Sequence, residues 1–285
     1  MMKRNAVIKP QGINSTLKRY GGFVRYFDST EPLPRLAALI TAAGDCPNIL
    51  ACCGGGDQAL TMLGAGCRKG TLWAVDLNCA QLFVLAAKAF FIKQNNMMPS
   101  FEQLHRAHHG QITAIKRNFR HLQQMYLYNK ATGERILPPA GLAEKYSFIT
   151  AGEMVLNPES GPFWKKDPSF VARVRARLGS LRFAQMDIFD SPDYFRKRSL
   201  DVIYLSDIFW QEPLEYYRAK LAGMAGLLRP GGRIIGYLDP GNDFMGGGVS
   251  PGRVLAQQAR PLGLKVDLGE SDSGYLVLEK TRRAR

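Results

Sequence analysis

Ile49-Leu-Ala-Cys-Cys-Gly-Gly-Gly-Asp-Gln-Ala-Leu60, followed at Leu72 by Leu-Trp-Ala-Val-Asp-Leu-Asn-Cys-Ala-Gln81, decides the fold of this chain. The apolar run Ile49–Cys53 ends in Gly54-Gly55-Gly56-Asp57 and opens into a helical pattern. A second apolar run, Leu72 to Val75, ends in Asp76. The order is strand, glycine turn, helix, strand, acid, which is the layout of a site that holds a nucleoside over the edge of a parallel sheet. Consecutive glycines let the backbone turn sharply and approach a ligand with no side chain in the way. An acid at the tip of the second strand can accept both hydroxyls of a ribose.

Asp76 follows the turn at the spacing of about twenty residues that a ribose ligand requires. A dinucleotide site would carry Gly-x-Gly-x-x-Gly, so that a helix N-terminus takes the pyrophosphate. Here Asp57 follows the glycines, and its charge repels phosphate but suits an ammonium or a sulfonium. Cationic S-adenosylmethionine therefore fits better than NAD. The chain has no Gly-Lys-Ser/Thr phosphate loop, which argues against an NTPase.

Outward from this segment, strands are expected at Ile49–Cys53, Leu72–Asp76, Leu181–Met186, Val202–Ser206, Arg233–Leu238, Leu264–Leu268 and Tyr275–Glu279. Helical patterns fall at Gln58–Leu63, Ala80–Lys93, Leu214–Leu228 and Pro251–Ala259. Alternation of this kind predicts an α/β, Rossmann-like parallel sheet covered on both faces. The link Gly269–Gly274 leaves no room for a helix, so the last two strands should pair antiparallel. Seven strands, mostly parallel with an antiparallel last strand, define the class I methyltransferase fold. In Leu-Leu-Arg-Pro-Gly-Gly-Arg, residues 227–233, a helix is expected to end at Leu228 and a strand to begin at Arg233. The core comprises residues 47–94 and 181–285. Residues 1–46 form an N-terminal cap segment with a helix at Leu33–Ala43. Residues 95–180 are a helical insertion, with helices at Phe101–Leu104, Ile112–Tyr128 and Phe170–Leu178, placed to make an acceptor pocket outside the strand ends.

The chain has 285 residues, enough for a substantial core, and a net charge of +14. Such a surface concentrates anionic partners, whether nucleic acid or the head groups of an acidic bilayer. With no zinc-ligand, RNA-binding aromatic or helix-turn-helix pattern, nucleic acid is not the favoured partner. The five cysteines include no Cys-x-x-Cys pair and mostly lie in or beside apolar runs, so reduced thiols and a cytoplasmic setting are expected. No signal peptide follows the basic Met-Met-Lys-Arg start, and no apolar run reaches membrane-spanning length. Contact with a membrane would be peripheral.

Four strand ends should grip the cofactor. Gly54, Gly55, Gly56 and Asp57 face the sulfonium and amino-acid end, and Asp76 holds the ribose with Leu77, Asn78 and Gln81 close by. Asp187 accepts from the adenine amino group while Ile188 packs on the ring, and Ser206 and Asp207 lie beneath the reacting atoms. Asp at such positions is also a common helix N-cap. These residues carry a resemblance. Ala-Cys-Cys-Gly-Gly-Gly-Asp-Gln-Ala-Leu, Ala-Val-Asp-Leu-Asn-Cys-Ala-Gln and Leu-Ala-Ala-Lys are similar to segments of the S-adenosylmethionine:diacylglycerol 3-amino-3-carboxypropyltransferases of betaine-lipid synthesis. Phe101-Glu-Gln-Leu, His109-Gly110 and Leu205-Ser-Asp-Ile-Phe extend it. This chain differs in Cys79 for proline and Gln58 for asparagine. The resemblance implies attack on the γ-carbon of the amino-acid arm, release of methylthioadenosine, and a hydroxyl or amine acceptor on a lipid headgroup or small metabolite.

A hydroxyl acceptor needs a proton acceptor. All four histidines lie in the insertion, and His105 and His109 share a helix face. His109 is the first candidate, with His105 and Asp207 next. A metal site at His105, His108 and His109 is disfavoured for want of further ligands. Tyr126, Tyr128, Tyr146 and Trp164 are either an acceptor slot or ordinary core. Methyl transfer to RNA or a small molecule is the alternative within the fold, and a non-catalytic nucleotide- or RNA-binding module is the alternative outside it.

Overall fold

The computed structural model describes residues 29, 31–45, 47–67, 69–76, 79–99, 163–206, 208, 214–237, 257–267 and 274–281. Its helices are α1 (Leu33–Ala42), α2 (Asp57–Ala65), α3 (Cys79–Asn95), α4 (Pro168–Arg177) and α5 (Leu214–Leu227). Its strands are β1 (Ile49–Cys52), β2 (Leu72–Asp76), β3 (Leu181–Gln185), β4 (Leu200–Ser206), β5 (Leu228–Tyr237), β6 (Leu264–Asp267) and β7 (Tyr275–Lys280).

These strands form one seven-stranded sheet in the order β3-β2-β1-β4-β5-β7-β6. Strands β1 to β5 pair in parallel. β7 runs antiparallel to both β5 and β6. This is the class I S-adenosylmethionine-dependent methyltransferase topology. The chain moves from β1 to β2 and β3 on one side, then crosses to β4 on the other. The order therefore reverses at β1, and the crevice outside its C-terminal end is where such sheets bind ligands.

Unbroken apolar strands are explained by two buried faces. Ile49, Ala51, Leu72, Ala74, Val202 and Tyr204 enter one core, shared with Leu36, Ile40, Leu60, Leu63 and Trp164. Leu50, Val75, Ile203 and Leu205, one residue out of phase, enter the other with Phe189, Phe195, Leu221 and Met224. Helices α1 to α4 contribute to the first face and α5 to the second.

Residues 163–180 pack into the first core. Trp164 is fully buried, donates from Nε1 to Thr61 Oγ1 at 2.8 Å, and stacks on Phe170. Of the two readings of Trp164, ordinary core is the one seen. A Cβ on Gly64 would lie 2.2 Å from Phe170, so glycine lets α2 and α4 approach. Asp167 N-caps α4, accepting from Ser169 N at 2.9 Å and Phe170 N at 3.2 Å. The expected turn before β5 differs: Leu228 already pairs with Leu200, and the next pair is Val202 with Arg233. Pro230 and the glycines thus form a bulge within the strand. The helices read at Phe101–Leu104 and Ile112–Tyr128 lie outside the described residues, as does most of Pro251–Ala259. Among the described residues, no helix is long and apolar enough to cross a membrane.

Candidate functional site

Parallel register brings the two decisive motifs together. Cys52 pairs with Val75, and Cys53 N–H donates to the Val75 carbonyl at 2.8 Å. One residue further, Gly54 N–H donates to Asp76 Oδ2 at 3.3 Å. The acid tipping β2 therefore borders the glycine turn tipping β1, at the point where the strand order reverses. Asp76 is partly exposed.

The turn itself is locked from below. Gly56 has φ +88°, and a Cβ there would lie 2.9 Å from the Leu85 Cβ, so no other residue fits. Gln81 Nε2 donates to the Gly54 carbonyl at 2.7 Å. Lys88 Nζ donates to the Gly55 carbonyl at 2.9 Å and to Asp57 Oδ1 at 2.7 Å, and both charged side chains are fully buried. Asp57 Oδ2 accepts from Ser29 N–H at 3.0 Å.

The Asp57 carboxylate thus has a counter-ion inside the protein, and the pair shapes the turn. Burial first, then the charge of Asp76, pushes the Cys53 thiol well above its ordinary range, with Lys88 opposing. Cys53 is a packing group, not a nucleophile. Cys52, Cys53 and Cys67 are free thiols, with the latter two buried.

On the other side of β1, Glu31 gathers four donors. Tyr204 and Ser206 of β4 donate their hydroxyls to Oε2 and Oε1, Tyr275 of β7 donates to Oε2 at 3.3 Å, and Gln58 Nε2 donates to Oε1 at 3.4 Å. Burial and the neighbouring Glu31 carboxylate push the Tyr275 phenol up, so it stays a neutral donor. Ser206 ends β4 at φ +53° where the pairing with β5 shifts, an uncommon conformation for a residue with a side chain. Its hydroxyl is engaged with Glu31 at this strained strand end.

The residues expected to flank an adenine have visible structural roles. Asp187 N-caps the short helix Ile188–Asp193, accepting from Phe189 N at 2.9 Å, and Ile188 is buried in the second core. The N-cap alternative for Asp187 is thus realised. Leu77, Asn78, Asp207, His105 and His109 lie outside the described residues.

Sequence reasoning missed Glu31 and read Lys88 only as the end of the Leu-Ala-Ala-Lys segment. The signal for Lys88 was available, since a lone cation inside Leu82–Ile92 needs a buried acid partner. Glu31 offered none, because its tyrosine partners are 173 and 244 residues away.

No protein-family model matches the chain, and no curated protein matches it. Among solved structures it is similar to the N-methyltransferase NodS from Bradyrhizobium japonicum WM9 in complex with S-adenosyl-L-homocysteine. That match has 12% identity over 96% of this chain and 100% of that one, with a TM-score of 0.44. It is also similar to 1,6-didemethyltoxoflavin-N1-methyltransferase from Burkholderia thailandensis, with 15% identity over 88% of this chain and 78% of that one, TM-score 0.39. A third is magnesium protoporphyrin IX methyltransferase from Synechocystis PCC 6803, with 12% identity over 87% and 80%, TM-score 0.39. The fold assignment rests on the strand order.

Proposed function

We propose that this chain is an S-adenosylmethionine-dependent transferase with its cofactor across the tips of β1, β2 and β4. The observation that carries this reading is the contact of Gly54 with Asp76 at the reversal of strand order. A partly exposed carboxylate beside a turn with no side chains suits a ribose and its sulfur substituent. In this reading Asp76, Leu77 and Asn78 hold the ribose, and Gly54, Gly55 and Gly56 admit the amino-acid end. Asp187 and Ile188 flank the adenine, while Ser206 and Asp207 border the reacting side. The bound sulfonium supplies an activated carbon. The chain supplies orientation and removal of the acceptor's proton. His109, His105 and Asp207 are the proposed proton acceptors.

Two groups can leave a sulfonium of this kind. Methyl transfer is the general use of this topology. Transfer of the 3-amino-3-carboxypropyl arm rests on the sequence resemblance alone. Asp57, Gln81 and Lys88, through which the sequence resembles that family, are the residues joined beneath the turn. Incubation with cofactor and candidate acceptors separates the two by the nucleoside released: S-adenosylhomocysteine for methyl, methylthioadenosine for the arm. A titration with S-adenosylhomocysteine that shows no binding would sink both.

The acceptor in this reading is a small molecule or a lipid headgroup, taken up by the insertion 95–180. Exposed Lys165, Lys166, Arg173 and Arg175 beside α4 offer cations to an acidic membrane surface. Cosedimentation with anionic vesicles, lost in high salt, is the expected behaviour. Equal sedimentation with neutral vesicles would remove charge from the account.

A further inference from the structure

Gln58 stands between the two networks described above. It follows Asp57 in the first turn of α2, yet its amide turns towards Glu31. The end of the amide facing a carboxylate must be the NH₂ group, because a carboxylate only accepts; the other end is therefore the oxygen. That oxygen is buried and has no hydrogen-bond partner, and Gln58 as a whole is only 6% exposed. Both ends of the amide lie 3.7 Å from where a Cβ on Gly54 would be, so the amide borders the turn where the amino-acid end of the cofactor is placed. A buried acceptor left unmade is costly, and the group that satisfies it must be a donor. The amino-acid arm of the cofactor has one strong donor, its ammonium; its carboxylate cannot serve.

Resting on the cofactor reading above, we infer that the side-chain oxygen of Gln58 is a specificity contact for the ammonium of the amino-acid arm, and that Glu31 is its positioning residue. Glu31 fixes the amide by accepting from Nε2, while Tyr204, Ser206 and Tyr275 fix Glu31. Three separate strands and loops thus converge on the orientation of one amide. The arrangement selects ligands that carry the arm over those that lack it, whichever group is later transferred.

Two ligands isolate this contact. S-Adenosylhomocysteine carries the arm; methylthioadenosine has the same adenosine and thioether without it. In calorimetric titration of the intact chain, Gln58→Leu should weaken S-adenosylhomocysteine about tenfold or more, the scale of a hydrogen bond to a charged group. Methylthioadenosine should bind within about twofold of wild type, the change left when no such bond is lost. Glu31→Gln, which keeps shape but removes the obligate acceptor, should compress the ratio of the two affinities in the same direction. That ratio is a readout a purely structural role would not move. Equal weakening of both ligands, or no change for either, in variants whose melting shows them folded would overturn the inference while leaving the cofactor reading intact. Wild-type protein that binds neither ligand would overturn the cofactor reading and this inference with it.

Discussion

Two acids lie near the end of β1, and they are satisfied in opposite ways. Asp57 is met by a buried lysine and a backbone amide, and Lys88 also ties down the Gly55 carbonyl. Glu31 is met by three hydroxyls and an amide drawn from β4, β7 and α2. The first is a fixed strut, in which opposite charges cancel and the turn above is held rigid. The second is a cluster of short neutral donors bordering the strand ends, where one further polar atom, the oxygen of Gln58, remains to be satisfied. Position next to the glycine turn does not make an acid a ligand contact. What surrounds its oxygens decides.

The sharpest way to break this comparison is Lys88→Met. It strands the Asp57 carboxylate in the core and should cost about 3–5 kcal/mol, visible as a lower denaturation midpoint. Adding Asp57→Asn should recover much of that loss. If the double variant then binds S-adenosylhomocysteine as wild type does, Asp57 has no charge role towards the ligand. A selective loss of binding would restore the role first read for it.

Glycine substitutions come next. Gly56→Ala meets both a positive φ and Leu85, and Gly64→Ala meets Phe170, so each should destabilise by about 1–3 kcal/mol. Only the Gly56 variant should also lose ligand binding, in titrations below its melting temperature. Matching losses in both would detach the turn from the site.

Asp76→Ala should leave the melting of the free protein nearly unchanged and weaken S-adenosylhomocysteine by about tenfold or more. Unaltered affinity would take Asp76 out of the site. The smallest effect expected is chemical. Cys53 should resist alkylation in the native protein and react after unfolding, as mass spectrometry of labelled peptides can show. Rapid native labelling would mean the turn opens.

The legibility of this chain follows the range of its interactions. Period and punctuation located all seven strands, and β2 was bounded to the residue, because both faces of the sheet are buried and the apolar runs are uninterrupted. The pairing of Gly54 with Asp76 was legible too, since parallel register follows once the strands are known. The partner of Asp57 was missed although its signal was present, since Lys88 was not read as one half of a buried pair. Glu31 was beyond reach, because nothing near Pro32 announces partners on β4 and β7. The bulge within β5 was misread as a plain turn before the strand, since Leu228 pairs before the glycines do.

The bond between Glu31 and Tyr275 joins residues 244 positions apart. A ribosome delivers the first of these early and the second only when the final strand emerges. Until then the carboxylate lacks one of its donors and β5 lacks its antiparallel neighbour. The wall around Glu31 can therefore close only once the final strand has docked.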